Sequence, residues 1–207
     1  MTLIEIIECE QGSDEWLLAH CGIASASNFK IVQATGKAKD TASIERMRHV
    51  YKKAGELITG QPDPSGYKND AMARGNEMEE EARLHYTFLN PQAKIAQVGF
   101  IRNGKAGCSP DALIDHNGGL EIKTAWPHIL LAHKAKKEFP LEHKPQVQGN
   151  LWIADREWWD LVIYWPRMKP FIVRAYRDEP YIRDLETAVD QFNNEVAAVV
   201  EAYNQGD

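Results

Sequence analysis

The chain has 207 residues, 43% hydrophobic and 26% charged, with a formal net charge of −6; this is an ordinary globular balance and suits one domain, or at most one domain with a small helical lobe. There is no run of eighteen apolar residues, no basic start followed by an apolar core, and only three scattered cysteines (Cys9, Cys21 and Cys108). A membrane span, a secretory signal and a disulfide framework are therefore excluded, and a cytoplasmic location is expected.

Ser13 and Asp14 ahead of Glu15-Trp16-Leu17-Leu18-Ala19 read as a capped short helix, ended by Gly22. Ser25-Ala26-Ser27-Asn28 starts a second one that carries Phe29, Ile31 and Val32. Gly36 to Thr41 is polar. From Ala42 to Ile58, apolar residues at steps of three and four predict an amphipathic helix, with Gly60 as its cap. Gln61 to Gly66 contains two prolines and reads as a loop. Asp70 to Leu89 is a long helix stopped near Asn90-Pro91, with Ala82, Tyr86 and Leu89 expected in the core. Strands are then expected at Lys94–Ile101, Cys108–Asp115 and Leu120–Thr124. Helices follow over His128–Lys137 and Pro145–Ala154, and two more strands over Trp158–Trp165 and Phe171–Tyr176. One stripe from Ile182 through Leu185, Val189, Phe192 and Val196 makes a closing helix at about 181–204. The order predicts a single mixed α/β domain over 1–207, with a small central sheet flanked by helices.

Chemistry concentrates in Cys108-Ser109-Pro110-Asp111-Ala112-Leu113-Ile114-Asp115, then His116-Asn117-Gly118-Gly119, then Leu120-Glu121-Ile122-Lys123-Thr124. Asn-Gly-Gly between two apolar runs signals a hairpin, through residues that tolerate positive φ. Folding it brings Asp111 beside Glu121. Glu121 and Lys123 are two residues apart and share a face, while Ile122 points to the core. Two carboxylates about 4 Å apart repel by roughly 4 kcal/mol at an effective dielectric near 20, so that either one protonates or a cation binds between them. Oxygen ligands select hard ions, Mg²⁺ with Mn²⁺ able to substitute, and such ions serve phosphates. The acidic total charge is thus compatible with a nucleic-acid substrate. Taken alone, Glu-x-Lys is more often a solvated pair on an edge strand; the Ser-Pro-Asp, the hairpin and the apolar flanks reverse that preference.

Pro110-Asp111, a gap of nine residues, then Glu121-Ile122-Lys123 resembles the PD-(D/E)xK nuclease pattern. The wider resemblance is to the phage lambda exonuclease and YqaJ-type viral recombinase family. It is carried by Glu10-Gln11-Gly12-Ser13-Asp14-Glu15-Trp16 with Gly22-Ile23-Ala24-Ser25-Ala26-Ser27, by Arg74-Gly75-Asn76-Glu77-Met78-Glu79-Glu80-Glu81-Ala82-Arg83, by the hairpin, and by Pro145-Gln146-Val147-Gln148-Gly149-Asn150-Leu151-Trp152. The resemblance implies a restriction-endonuclease-like core that digests linear duplex DNA from its 5′ ends. It also implies a homotrimeric ring and a product strand passed to a single-strand annealing protein, in a bacterial cell carrying the phage or prophage. By the same resemblance, Asp111, Glu121, the carbonyl of Ile122 and Glu79 match metal ligands. Lys123 matches the catalytic lysine, and Gln148 the glutamine beside the site. Ser27, with Ser25 nearby, falls where the family holds a 5′ phosphate. His20 stands where a relative has a phosphate-binding arginine, and a neutral histidine holds phosphate less firmly. Ala112 replaces a frequent glycine.

Other features read more plainly. Glu77, Glu80 and Glu81 are a solvated face, because one helical turn cannot aim four glutamates at one point. Arg46, Arg48, Lys52 and Lys53 read mostly as surface charge. His128, His133 and His143 with Lys134, Lys136, Lys137 and Lys144 form the densest basic region, a candidate strip along DNA. The expected activity is a Mg²⁺-dependent 5′→3′ exonuclease acting on double-stranded ends. The rivals are an endonuclease of the same superfamily and a non-catalytic DNA-end-binding module.

Overall fold

The structure, a computed structural model, describes residues 3–36, 43–63 and 70–206, with side chains outside 70–77. The polar stretch Gly36–Thr41 and the second half of the Gln61–Gly66 loop lie largely outside these residues, as do the side chains of Arg74 to Glu77. The described elements are β1 (Ile4–Ile7), α1 (Asp14–Ala19), β2 (Ala24–Ser25), a 3-10 turn (Ala26–Asn28) running into α2 (Phe29–Val32), α3 (Ile44–Thr59) and α4 (Asp70–Leu89). Then come β3 (Ile95–Ala96), β4 (Phe100–Asn103), β5 (Ala106–Cys108), β6 (Ala112–Ile114), β7 (Gly118–Thr124) and α5 (Pro127–Lys136). A 3-10 turn (Leu141–His143) leads into α6 (Lys144–Ile153), followed by β8 (Trp158–Tyr164), β9 (Phe171–Tyr176) and α7 (Glu179–Gln205). Ser13 and Ser43 cap their helices by accepting the N–H of Trp16 and Arg46, and Gly60 closes α3 in the left-handed conformation. His20, not Gly22, is the C-cap of α1.

The mixed α/β class is as expected, but the sheet is divided in two. One sheet has the order β1-β4-β5-β2 and the other β3-β6-β7-β8-β9. Lys94–Ile101 and Cys108–Asp115, each expected as one strand, both break and change sheet midway. Pro110 has no N–H to give a ladder. Gly99 lies so close to Cys9 that a Cβ would sit 2.4 Å from the Cys9 carbonyl oxygen. Asp111 therefore stands at the point where the chain crosses between sheets.

The β6–β7 hairpin forms with Ala112 opposite Leu120 and Ile114 opposite Gly118. Its glycines act differently from the expectation. The positive φ in the turn belongs to Asp115, at 50°. Gly118 and Gly119 are extended strand residues on which the rings of Trp158 and Trp159 lie, 2.2 and 2.3 Å from where a Cβ would be.

The five-stranded sheet is covered on both faces. Leu120, Ile122 and Val162 pack with Ala82 and Tyr86 of α4. Leu161 and Ile163 pack under Leu130 of α5. Because β7 and β8 are parallel, with Glu121 beside Leu161 and Lys123 beside Ile163, the acidic and basic side chains emerge on the α5 face. The largest core joins α2, α3, α6 and α7 to the four-stranded sheet through Phe29, Val50, Leu151 and Phe192. Leu89, expected inside, is half exposed at the end of α4. Arg46 and Lys53 are buried, contrary to the surface reading. Arg46 donates to the Val32 carbonyl and pairs with Glu195, while Lys53 pairs with Glu56 at 2.7 Å. No described helix is long and apolar enough to cross a membrane, and all three cysteines are free.

Gly149 lets α6 touch the turn that carries Ser25 and Ser27: a Cβ there would lie 2.5 Å from the Phe29 ring and 3.1 Å from Ala26. Gly149→Ala is expected to lose about 1–3 kcal/mol by overpacking, despite the better helix propensity of alanine. Urea unfolding measures it, and an unchanged midpoint would show that α6 can slide away.

Candidate active site

Beyond Leu120, β7 has no strand partner on its β6 side among the described residues, because the pairing stops at Ala112. Asp111 fills that gap: its Oδ2 accepts the Ile122 N–H. In an extended strand the N–H and C=O of one residue point to the same side. The Ile122 carbonyl is thus directed into the gap that holds the Asp111 carboxylate. Glu121, one residue earlier, projects from the α5 face. Its Oε1 lies 2.7 Å from Lys123 Nζ and accepts from Gln146 Nε2 at 2.6 Å, and its Oε2 accepts from Asn150 Nδ2 at 3.0 Å. Asp111 and Glu121 are 8% and 2% exposed, whereas about a third of the Lys123 side chain is open to solvent.

The electrostatics follow from this packing. Burial, then the charges of Glu121 and Glu79, push the Asp111 carboxyl well above its usual range, against Lys123 and the Ile122 N–H. Burial also raises Glu79, with Glu121 adding to it and Arg83 opposing. For Lys123, burial disfavours the ammonium, but Glu121, Asp111 and Glu79 outweigh it and hold its pKa above the ordinary lysine value. Arg83, four residues after Glu79, donates to Glu79 Oε1 at 3.3 Å and to the Asp111 backbone carbonyl at 3.1 Å. It couples α4 to the Pro-Asp turn.

Among the described residues, no three His, Cys, Asp or Glu side chains converge as a ready-made metal cage. The donor set nevertheless fits a hard divalent ion. It comprises two buried carboxylates, the Ile122 carbonyl on the same strand edge as Asp111, and a third carboxylate, Glu79, near enough to influence Asp111.

Two expected site residues, Gln148 and His20, are placed differently. Gln148 points away from the carboxylates: its Nε2 donates to the Tyr176 carbonyl at 2.8 Å, and its Oε1 accepts the Asp178 N–H at 2.9 Å. The glutamine beside Glu121 is Gln146. Residues two apart on a helix face nearly opposite ways, and Gln146 shares its face with Asn150. Gln146→Ala is expected to reduce turnover roughly 10- to 100-fold with little change in stability. Gln148→Ala should cost about 1–3 kcal/mol and spare turnover, since it orphans two backbone groups. Rates and melting curves of the pair check this assignment, and the reverse pattern would overturn it.

His20 is buried, with only 6% of it exposed. Burial lowers its pKa to about 4, so the ring is neutral. Its Nδ1 donates to the Trp16 carbonyl at 2.8 Å, which leaves Nε2 to accept the Ser109 hydroxyl at 3.3 Å; that hydroxyl oxygen accepts the Trp16 indole N–H at 2.8 Å. This closed ring of bonds braces Ser109-Pro110-Asp111. Ser25 pairs in register with Gly107, four residues before Asp111, and its Oγ lies 3.2 Å from that of Ser27. Ser27 is exposed and Ser25 is buried.

Arg83, Gln146 and Asn150 were not singled out by sequence reasoning. The usable signal was the polar pair Gln146 and Asn150, four apart and so on one face of α6.

A two-sheet α/β core with an acidic and basic cluster at the crossing point is a restriction-endonuclease-like fold. The chain is 28% identical to the alkaline exonuclease LHK-Exo from Laribacter hongkongensis, with a TM-score of 0.81 covering 93% of this chain and 97% of that one. A structure of LHK-Exo in complex with dAMP matches equally well. A phage-related exonuclease from Haemophilus somnus 129PT shares the fold at 15% identity, with a TM-score of 0.67 over 87% of this chain and 96% of that one. No curated protein matches by sequence. The YqaJ-like viral recombinase domain matches residues 15–157, more than half the chain, and the chain belongs to that family.

Proposed function

We propose that this protein is a divalent-metal-dependent exonuclease that degrades one strand of linear duplex DNA in the 5′→3′ direction. It leaves a 3′ single-stranded tail for an annealing protein. The observation that carries the reading is the meeting of Asp111, Glu121 and Lys123 at the end of β7, braced by Gln146 and Asn150. A binding module has no use for buried carboxylates held against an amine at this expense in desolvation. The likeness to an alkaline exonuclease, also seen in complex with dAMP, supports a nucleotide-processing site.

Asp111, Glu121, Glu79 and the Ile122 carbonyl would hold Mg²⁺ or Mn²⁺. When bound, the ion supplies Lewis acidity at a phosphoryl oxygen and a lowered pKa for water. Lys123, cationic and partly open to solvent, orients the attacking water and offsets charge growing on the phosphoryl oxygens. Water adds to phosphorus in line as the bond to the leaving sugar oxygen breaks. Gln146 and Asn150 keep Glu121 in one rotamer through the reaction. Ser25 and Ser27 would contact a 5′ phosphate with no help from His20. Three subunits in a ring would keep the enzyme on its substrate.

The test is a linear duplex and a covalently closed circle, each incubated with Mg²⁺ and with excess chelator. Loss of the linear form alone, only with Mg²⁺ and from the 5′ label first, is expected. Equal loss in chelator overturns the mechanism, and cutting of the circle makes the protein an endonuclease. Light scattering that gives a monomer would remove the ring.

A further inference from the structure

Trp126 lies three residues after Lys123 and opens α5, yet 60% of it is exposed. It is not stranded there by accident of packing. Its ring rests on Trp165, at the end of the neighbouring parallel strand, with centroids 5.1 Å apart and an interplanar angle of 32°. The ring contact limits the indole's freedom, and its exposed surface is a large flat apolar area three residues beyond Lys123.

The charge around it is equally uneven. From Ile122 to Lys137 there are four lysines, two histidines and no carboxylate, in a chain whose net charge is −6. His128, Lys136 and Lys137 are exposed. Helix α5 packs through Leu130 on Leu161 and Ile163, on the same sheet face as Glu121 and Lys123. An exposed aromatic plane and a basic helix thus continue directly from the catalytic lysine along one face. His133 lies 3.9 Å from Glu142 and Lys134 donates to the Lys169 carbonyl, which leaves the exposed Lys136 and Lys137 to face solvent; an aromatic surface followed by such lysines suits unpaired bases on a phosphate backbone.

We infer that Trp126 is a stacking platform for single-stranded DNA at the site, with the exposed basic side chains of α5 carrying the adjoining phosphates. This deepens the exonuclease reading and rests on it for the identity of the strand: the unpaired nucleotides at the end being digested. Trp126 positions that strand and takes no part in bond cleavage.

The experiment measures affinity for a short labelled single strand, and for the same strand made of abasic sites, in chelator so that nothing is cut. Trp126→Ala is expected to weaken binding to the natural strand roughly five- to hundredfold and leave the abasic strand unaffected. Trp126→Phe, which keeps a ring, should stay within about threefold of the wild type. Lys136→Gln should weaken both strands and reduce the salt slope by about 0.7. Unchanged binding by Trp126→Ala, or an equal loss on the abasic strand, overturns the inference. Cleavage of a blunt duplex with Mg²⁺, run on the same preparations, separates the two claims. Wild-type cleavage with base-independent binding sinks the platform alone; base-dependent binding by a protein that never cuts sinks the exonuclease reading and keeps the platform.

Discussion

Lys123→Ala is expected to lower Mg²⁺-supported cleavage of a linear duplex by roughly 10²- to 10⁴-fold, the range for a lost proton-handling or charge-offsetting group. The same substitution should change the fold little. Ile122 and the pairing of β7 with β8 hold the strand through backbone and core contacts that the lysine does not make. It does leave Glu121 without its ammonium at 2.7 Å, while the amides of Gln146 and Asn150 remain. Removing one partner of a buried pair is costly, but the solvent exposure of Lys123 discounts it, to about 1–2 kcal/mol without metal. Single-turnover rates and melting curves, each with and without Mg²⁺, test both halves. A Lys123→Ala enzyme of wild-type rate would leave the site without its central residue.

The strand that carries Glu121 and Lys123 was legible because three independent signals coincide on it: alternation, a turn sequence and a charge pair. Helix α3 was legible from its spacing and its Gly60 cap. What was hidden has a common physical origin, namely that partners distant in the chain decide it. Gly99 looks like an ordinary residue within an apolar run, and only the approach of Cys9 shows why the strand breaks there. Gly118 and Gly119 look like turn residues, but they are flat spaces for tryptophans some forty residues later. Gln146 and Gln148 have the same chemistry two residues apart, and helix rotation about α6 selects one for Glu121 and the other for the start of α7. Lys53 reads as surface charge until Glu56 and the His20 carbonyl are seen to receive its ammonium. Local patterns specify elements, whereas which polar residue is buried depends on what packs over it.

The carboxylate cluster gives a second large effect, in stability. In the unfolded chain an aspartate ionises near about pH 3.9. Folded, burial with Glu121 and Glu79 holds Asp111 well above that, and burial with Glu121 raises Glu79 likewise. Between the two values the folded protein keeps a proton that the unfolded chain has lost, so metal-free stability falls as pH rises from about 4 upward. Lys123 adds a separate window of the same sign. Its raised pKa contributes stability below the unfolded value of about 10.4, and that contribution disappears as pH rises through the folded one. Asp111→Asn can still accept the Ile122 N–H and has no charge to repel. In chelator its melting temperature should exceed the wild type's, by a margin that widens with pH above about 4. Mg²⁺ should reverse the order, because it binds the ionised carboxylates and stabilises the wild type by about 2.7 kcal/mol at a hundred times its Kd. Melting curves across pH, with chelator and with Mg²⁺, read this directly. A wild type more stable than Asp111→Asn in chelator at every pH would mean that the carboxylates are already satisfied by their protein donors, and that no cation is needed where the fold brings them together.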